Sequence, residues 1–231
     1  MNRIELWKNV KNFQELQECM VKFLEGKYRS TPWHLGQVDP ETIGILQKLR
    51  KINKAGFVSI QGQPGDHTKD DDLTENYQRG FIEGFIPKKY YLRFIRELLK
   101  GGKVVIGMTR LDSEKLPPRM YGDYESLLDM SKNGECRINL TKEIFPNIDH
   151  PFLKEYLDVK ERGNLYEEKD GKVVRYYTNF WLNRRRNMTG DLKPKFIRYL
   201  ERNTYGLIII RKEYGVKDLE NIVLESLKKL I

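Results

Sequence analysis

The chain has 231 residues, of which 39% are hydrophobic, 11% aromatic and 32% charged, with a formal net charge of +9. Those proportions support a packed core and exclude an intrinsically disordered chain. No apolar run approaches the roughly 18–20 residues that span a bilayer, and the amino terminus lacks the apolar stretch of a secretory signal, so an intracellular protein with no membrane partner is expected.

Asn12 stands at an N-cap position with Glu15 where a capping box needs it. Phe13, Leu16, Met20, Phe23 and Leu24 then recur at helical spacing until Gly26. A loop from Tyr28 to Gln37 holds Pro32-Trp33-His34. Asp39-Pro40-Glu41-Thr42 reads as a second helix start, with Ile45, Leu46, Leu49 and Ile52 as its apolar stripe and Gly56 as its stop. Phe57 to Ile60 reads as a buried strand, and Gln61-Gly62-Gln63-Pro64-Gly65 as a tight turn presenting two amides. An acidic, mobile loop is expected from Asp66 to Asp72.

Tyr77 to Ile86 alternates as a strand does, with Gly80 and Gly84 on one face, leaving room for another backbone or a ligand. Pro87 opens a helix that runs to Leu99 and stops at Gly101-Gly102, and Lys103 to Thr109 follows as a strand. Residues 111–134, with Pro117-Pro118, are turn-rich and read as a surface excursion or a lobe boundary. Asn164 to Trp181 reads as a hairpin about Asp170-Gly171. Leu192 to Asn203 is expected to be helical. Leu207 to Ile210 reads as a strand covered on both faces, and Val216 to Leu230 as an amphipathic helix. The expected fold is α+β, a mixed sheet flanked by helices. It forms one globular domain over residues 1–231, or two lobes over 1–110 and 111–231.

Several short elements recur in a characteristic order: Phe23-Leu24-Glu25-Gly26, Pro32-Trp33, Glu41-Thr42, Asn53 with Gly56-Phe57, Gln63-Pro64-Gly65, and Gln78-Arg79 with Gly84-Phe85. Across residues 13–110 this order resembles an uncharacterised domain family of large DNA viruses and some bacteria. The resemblance implies a shared domain without an established activity. It also implies a viral source, with the host cytoplasm or nucleus, or the virion, as the location. One departure is visible, since Gly62 stands where the family tends to carry Ser.

Two clusters carry chemistry. The first is Gln61, Gln63, Arg79 and Glu83, a candidate ligand site in which Arg and amides grip a nucleotide-like anion and Glu83 acts as general base. Arg79 and Glu83 share one face of a strand, about 13 Å apart; the plainer reading pairs each with a neighbour across the sheet. The second is a basic stretch. Between Lys172 and Arg202 nine basic residues stand against two acids, Asp191 and Glu201. Arg184, Arg185, Arg186, Lys193, Lys195, Arg198 and Arg202 follow Tyr176, Tyr177, Phe180 and Trp181, a pattern that suits phosphates and unpaired bases, or an acidic protein. The plainer reading is a solvated basic face with its aromatics in the core.

Other chemistries find little support. Cys19 and Cys136 are isolated, which fits a reducing compartment and offers no nucleophile beside a base. His67 with Asp66 and Asp70-Asp71-Asp72 lacks EF-hand spacing, and His34 and His150 stand alone, so no metal is expected. Glu167-Glu168-Lys169 matches only a fragment of nuclease patterns, and no nucleotide-loop motif implies a cofactor. The leading expectation is a non-enzymatic accessory protein that binds nucleic acid or an acidic partner through its basic segment. The alternatives are a small-ligand enzyme or sensor built on the Gln/Arg/Glu cluster, and a structural or adaptor protein that self-associates.

Overall fold

The computed structural model describes Trp7 and residues 9–34, 36–69, 75–109, 119–121, 165–169, 172–176 and 192–230. The elements in chain order are α1 (Phe13–Leu24), a 3-10 helix (Pro40–Ile45) running into α2 (Leu46–Lys54), β1 (Val58–Gln63), β2 (Asp66–Lys69), β3 (Glu75–Pro87), α3 (Lys88–Leu99), β4 (Val104–Thr109), β5 (Arg119–Tyr121), β6 (Leu165–Lys169), β7 (Lys172–Tyr176), α4 (Pro194–Asn203), β8 (Thr204–Tyr214) and α5 (Leu219–Lys228). The eight strands form one sheet in the order β5-β4-β8-β3-β7-β6, with β1 and β2 also paired to β3. The β3–β7 pair is parallel and the others are antiparallel, so the sheet is mixed and the fold is α+β.

Strand β3 organises the sheet. Its first part pairs with β2 and β7, and its second part lies between β1 and β8. Phe81, Ile82, Phe85 and Ile86 are buried there, as expected of a strand covered on both faces. The two glycines read as leaving room for a neighbour do so. A Cβ at Gly84 would lie 2.1 Å from the Val58 carbonyl oxygen, and one at Gly80 would lie 2.9 Å from the Gly65 nitrogen. Any side chain at Gly84 would therefore drive β1 away from β3.

Strand β8 is the second spine. Ile209 lies opposite Ile82 on one side and Ile106 on the other, and Leu207 to Ile210 are all buried. The helices supply the rest of the core, α1 through Leu16, Met20, Phe23 and Leu24, α3 through Phe94, Ile95 and Leu98, and α5 through Leu219, Val223 and Leu227.

Helix starts follow local chemistry closely. Asn12 Oδ1 accepts from the Glu15 amide at 2.9 Å, while Glu15 Oε2 reaches back to the Lys11 amide at 2.8 Å. Four expectations need correction. Asp39 makes no side-chain cap, and Pro40 opens a 3-10 turn before the α-helix begins. Gln61-Gly62-Gln63 is not a turn: it continues β1, because past a bulge its backbone pairs with Phe81 to Glu83. Asp66 to Lys69 is a strand rather than a loop, paired with Glu75 to Gln78, and Asp66 is tied to Lys217 at 2.8 Å. Within the turn-rich stretch, Arg119–Tyr121 pairs with β4. The two strands of the expected hairpin are present and paired as β6 and β7, while Asp170 and Gly171 lie outside the described residues.

Candidate functional site

The site begins with Asn53, at the end of α2. Its side chain is fully buried; Nδ2 donates to the Leu49 carbonyl at 2.8 Å and to Ser59 Oγ at 2.7 Å, and Oδ1 accepts from the Ser59 amide at 3.1 Å. Gln17 of α1 donates its amide to the Asn53 carbonyl. One residue thus fastens two helices to the start of β1, which explains why an Asn belongs two residues before the chain turns at Ala55-Gly56.

A second local lock shapes the loop after α1. Thr31 Oγ1 accepts from the amides of Trp33 at 3.1 Å and His34 at 2.9 Å, and the Thr31 amide donates to the His34 carbonyl at 2.8 Å. Trp33 is held against Phe85 at 5.9 Å and Trp7 at 6.3 Å between ring centres, and His34 edges onto Phe23 at 6.3 Å. The loop is therefore a fixed wall, and it presents Trp33 and His34 to the sheet.

Between this wall, the 3-10 helix and β1 lies a cleft of about 380 Å³. Its polar lining is Thr31, His34, Asp39, Thr42, Ser59, Gln61 and Glu83; Phe23, Trp33, Leu49 and Ile60 are among its apolar walls. Glu83 is the telling member. It sits in the middle of β3 among Phe81, Ile82, Phe85 and Ile86, is 1% exposed, and lines the cleft. A carboxylate in such a strand costs desolvation unless it is partnered, and this one borders the cleft. An outer recess of about 360 Å³ adjoins the cleft, sharing Asp39, Thr42, Gln61 and Gly62 and adding Glu41 and Gln63. Gln63 Nε2 donates to Glu41 Oε2 at 3.3 Å across it. The two linings carry three carboxylates and no Lys or Arg.

Of the four residues singled out for ligand binding, Gln61 and Glu83 are register partners that line the inner cleft, and Gln63 lines the outer recess. Arg79 is buried on β3 opposite Tyr214 and lines neither. Within the basic stretch, Arg184, Arg185 and Arg186 lie outside the described residues. Lys193, Lys195, Arg198 and Arg202 are exposed at the start of α4 and along it. Sequence reading did not place Thr31, Trp33, His34, Asp39, Thr42 or Ser59 in a ligand site; a Trp-His pair in a Pro-containing loop was the available signal, but nothing local showed that the loop lies beside β1.

His34 Nε2 lies 2.7 Å from the Gln37 carbonyl and Nδ1 lies 3.9 Å from Asp39. Among the described residues the imidazole makes no hydrogen bond to a side-chain hydroxyl or thiol. Cys19 is half-buried on α1, and burial pushes its thiol pKa up, away from reactivity. Among the described residues no group of His, Cys, Asp or Glu has the arrangement of a metal site, and no helix is long and apolar enough to cross a membrane.

Residues 2–113 match the family described as Domain of unknown function (DUF6919). That stretch contains the whole lining of both recesses. The chain is also 36% identical over 86 residues to a probable methylenetetrahydrofolate reductase (NADH) of Oryza sativa subsp. japonica. It is 34% identical over 87 residues to methylenetetrahydrofolate reductase (NADH) 1 of Zea mays, and 33% over 87 residues to that of Arabidopsis thaliana. Each match covers 37% of this chain and 14% of the plant protein. The chain therefore spans about one-seventh of these relatives. An uncharacterised domain is thus found where the sequence led one to expect it; these relatives are plant proteins, and a viral source rests on the resemblance alone.

Proposed function

We propose that residues 2–113 and the strand that completes their sheet form a small-molecule-binding module, acting as a sensor rather than as a catalyst. The observation that carries this reading is Glu83, almost fully buried and lining a cleft with hydroxyl, amide and imidazole groups around it. Pockets of a few hundred Å³ with apolar walls and a few converging polar groups hold small ligands. The sign of the charge selects among them. Asp39, Glu41 and Glu83 are in the linings of the recesses and neither lining contains a Lys or Arg, which disfavours an anion. A ligand with a positive charge or an N–H edge, and a flat or apolar body to lie against Trp33 and Phe23, is favoured. This replaces the nucleotide-like anion expected when Arg79 was grouped with Glu83.

The plant reductases are named for methylenetetrahydrofolate and NADH, and this chain matches 14% of their length, too little to carry a two-substrate reduction by itself. The test is thermal unfolding of the full chain with adenosine, a neutral reduced pterin, adenosine monophosphate, NADH and methylenetetrahydrofolate. Stabilisation by a neutral or cationic compound, abolished by Glu83→Gln, is expected. A preference for the anionic compounds, or stabilisation that survives Glu83→Gln, would refute the assignment.

A further inference from the structure

On another part of the molecule α1, the start of α3 and the end of α4 enclose an open groove of about 1230 Å³. Six basic side chains line it, Lys22, Lys27, Lys54, Lys88, Lys89 and Arg202, against two acids, Glu18 and Glu25. Glu25 is already engaged by Lys27 at 2.7 Å and by Lys54 at 3.8 Å. Those contacts hold its carboxyl below the usual range, the Lys27 hydrogen bond being the largest cause. Among the described residues, no carboxylate lies within ion-pair distance of Lys22, Lys88, Lys89 or Arg202.

Two of these cations stand where a helix ordinarily places acids. Lys88 and Lys89 occupy the first turn of α3, a helix of 12 residues with no acidic residue in that turn and no side-chain cap at Pro87. Positive side chains there oppose the helix dipole, a cost that an anion docked on the free amides would reverse. Lys88 is also held in place: its ammonium donates to the Glu201 carbonyl at 2.8 Å and lies 5.2 Å from the centre of the Tyr205 ring. It presents a half-buried positive charge with a fixed position rather than a waving surface lysine.

Aromatic rings alternate with the charges. Phe13, Tyr90 and Tyr199 line the groove, all partly exposed. Duplex nucleic acid hides its base faces and cannot use them, whereas an unpaired strand offers phosphates and bases together. The groove's amides are engaged within the protein: Gln17 with Asn53, Asn203 with the Tyr199 carbonyl at 2.8 Å, and Gln14 with Glu18 at 3.3 Å. Few groups are left to read base edges.

We propose that this groove binds an unpaired nucleic-acid strand, gripping phosphates through Lys22, Lys88, Lys89 and Arg202 with little sequence preference. It is independent of the Glu83 cleft, and of the expected basic segment it uses only Arg202. The test is fluorescence anisotropy of the full chain with labelled oligothymidylate of about 16 nucleotides across a salt series, beside duplex DNA of the same length and polyglutamate. Binding that weakens steeply with salt is expected, tighter for the single strand than for either competitor. The triple change Lys22→Glu, Lys89→Glu and Arg202→Glu is expected to cost at least tenfold in affinity and to flatten the salt slope by roughly one per lost phosphate contact. Glu83→Gln, and Lys228→Glu outside the groove, should leave it unchanged. Absent binding at low salt, binding that survives the triple change in a protein of unaltered melting temperature, or equal capture of duplex or polyglutamate would overturn the proposal.

Discussion

Glu220 shows what a single misplaced charge costs this fold. It sits in the first turn of α5, fully buried, and its carboxyl oxygens have no hydrogen-bond partner among other described residues. Burial pushes its pKa up; its own backbone N–H and Lys48 of α2 pull the other way, and Asp218 adds to the rise. A carboxyl whose folded pKa is raised holds its proton in the native state after the unfolded chain has released it. The contribution of Glu220 to stability is therefore most favourable below the ordinary carboxylate range and is lost as pH climbs through the raised value. Glu220→Leu is expected to stabilise the protein at neutral pH by about 1–3 kcal/mol, the cost of an unsatisfied buried polar group. The gain should shrink in acid. Denaturant melts at neutral and acid pH check it, and a gain independent of pH would count against the stated cause. Gly62, by contrast, offers space. A Cβ there would meet neighbours only at 3.6–3.9 Å, so the Ser found in the resembling family fits beside the cleft without displacing backbone.

At the scale of elements, the junction of α2 with β1 matters most, since Leu49 and Ser59, both bonded to Asn53, line the cleft. Asn53→Ala removes two donations and one acceptance and leaves the Ser59 amide and hydroxyl buried without those partners. A loss of about 2–4 kcal/mol is expected by chemical denaturation, and Asn53→Asp should recover only part of it because the two donations stay lost. A loss below about 0.5 kcal/mol, in the range of ordinary surface changes, would mean that packing alone sets the junction. Much of this element was legible in the order Asn53, Gly56, Phe57: a helix stop with a turn-forming Gly, then a buried aromatic. What escaped a linear reading was the continuation through Gln61 to Gln63. Polar residues with a Gly and a Pro nearby satisfy turn chemistry locally, yet here the partner backbone of Phe81 to Glu83 keeps them extended.

The whole molecule depends on one long-range insertion. Strand β8, at Thr204–Tyr214, lies between β3 and β4, and α5 packs on α2, α3 and β3, so the sheet holding Glu83 is completed by chain far beyond residue 113. A fragment of residues 1–113 would leave the β3 and β4 edges bare along Phe81 to Ile86 and Val104 to Met108. It is expected to aggregate or to melt without cooperativity, as judged by circular dichroism and sedimentation. Cooperative unfolding of a monomeric fragment would show that the matched domain stands by itself. The same insertion brings Arg202 and Tyr199 of α4 to the groove beside α1, joining residues almost 200 positions apart to residues near the amino terminus.

Local sequence alone determined the helices at Phe13–Leu24, Lys88–Leu99 and Pro194–Asn203, the doubly covered strand at Leu207 to Ile210, the need for glycine at positions 80 and 84, and the mixed α+β class. Each of these follows from spacing, caps or side-chain size within a few residues, which is the range over which a chain advertises its own conformation. Only the tertiary structure decided that Glu83 meets His34 and Asp39 in one cleft, that Arg79 is not in its lining, and that basic residues from four helices share a groove. Charge and solvation act through space between elements, and no periodicity along the chain records which elements will meet.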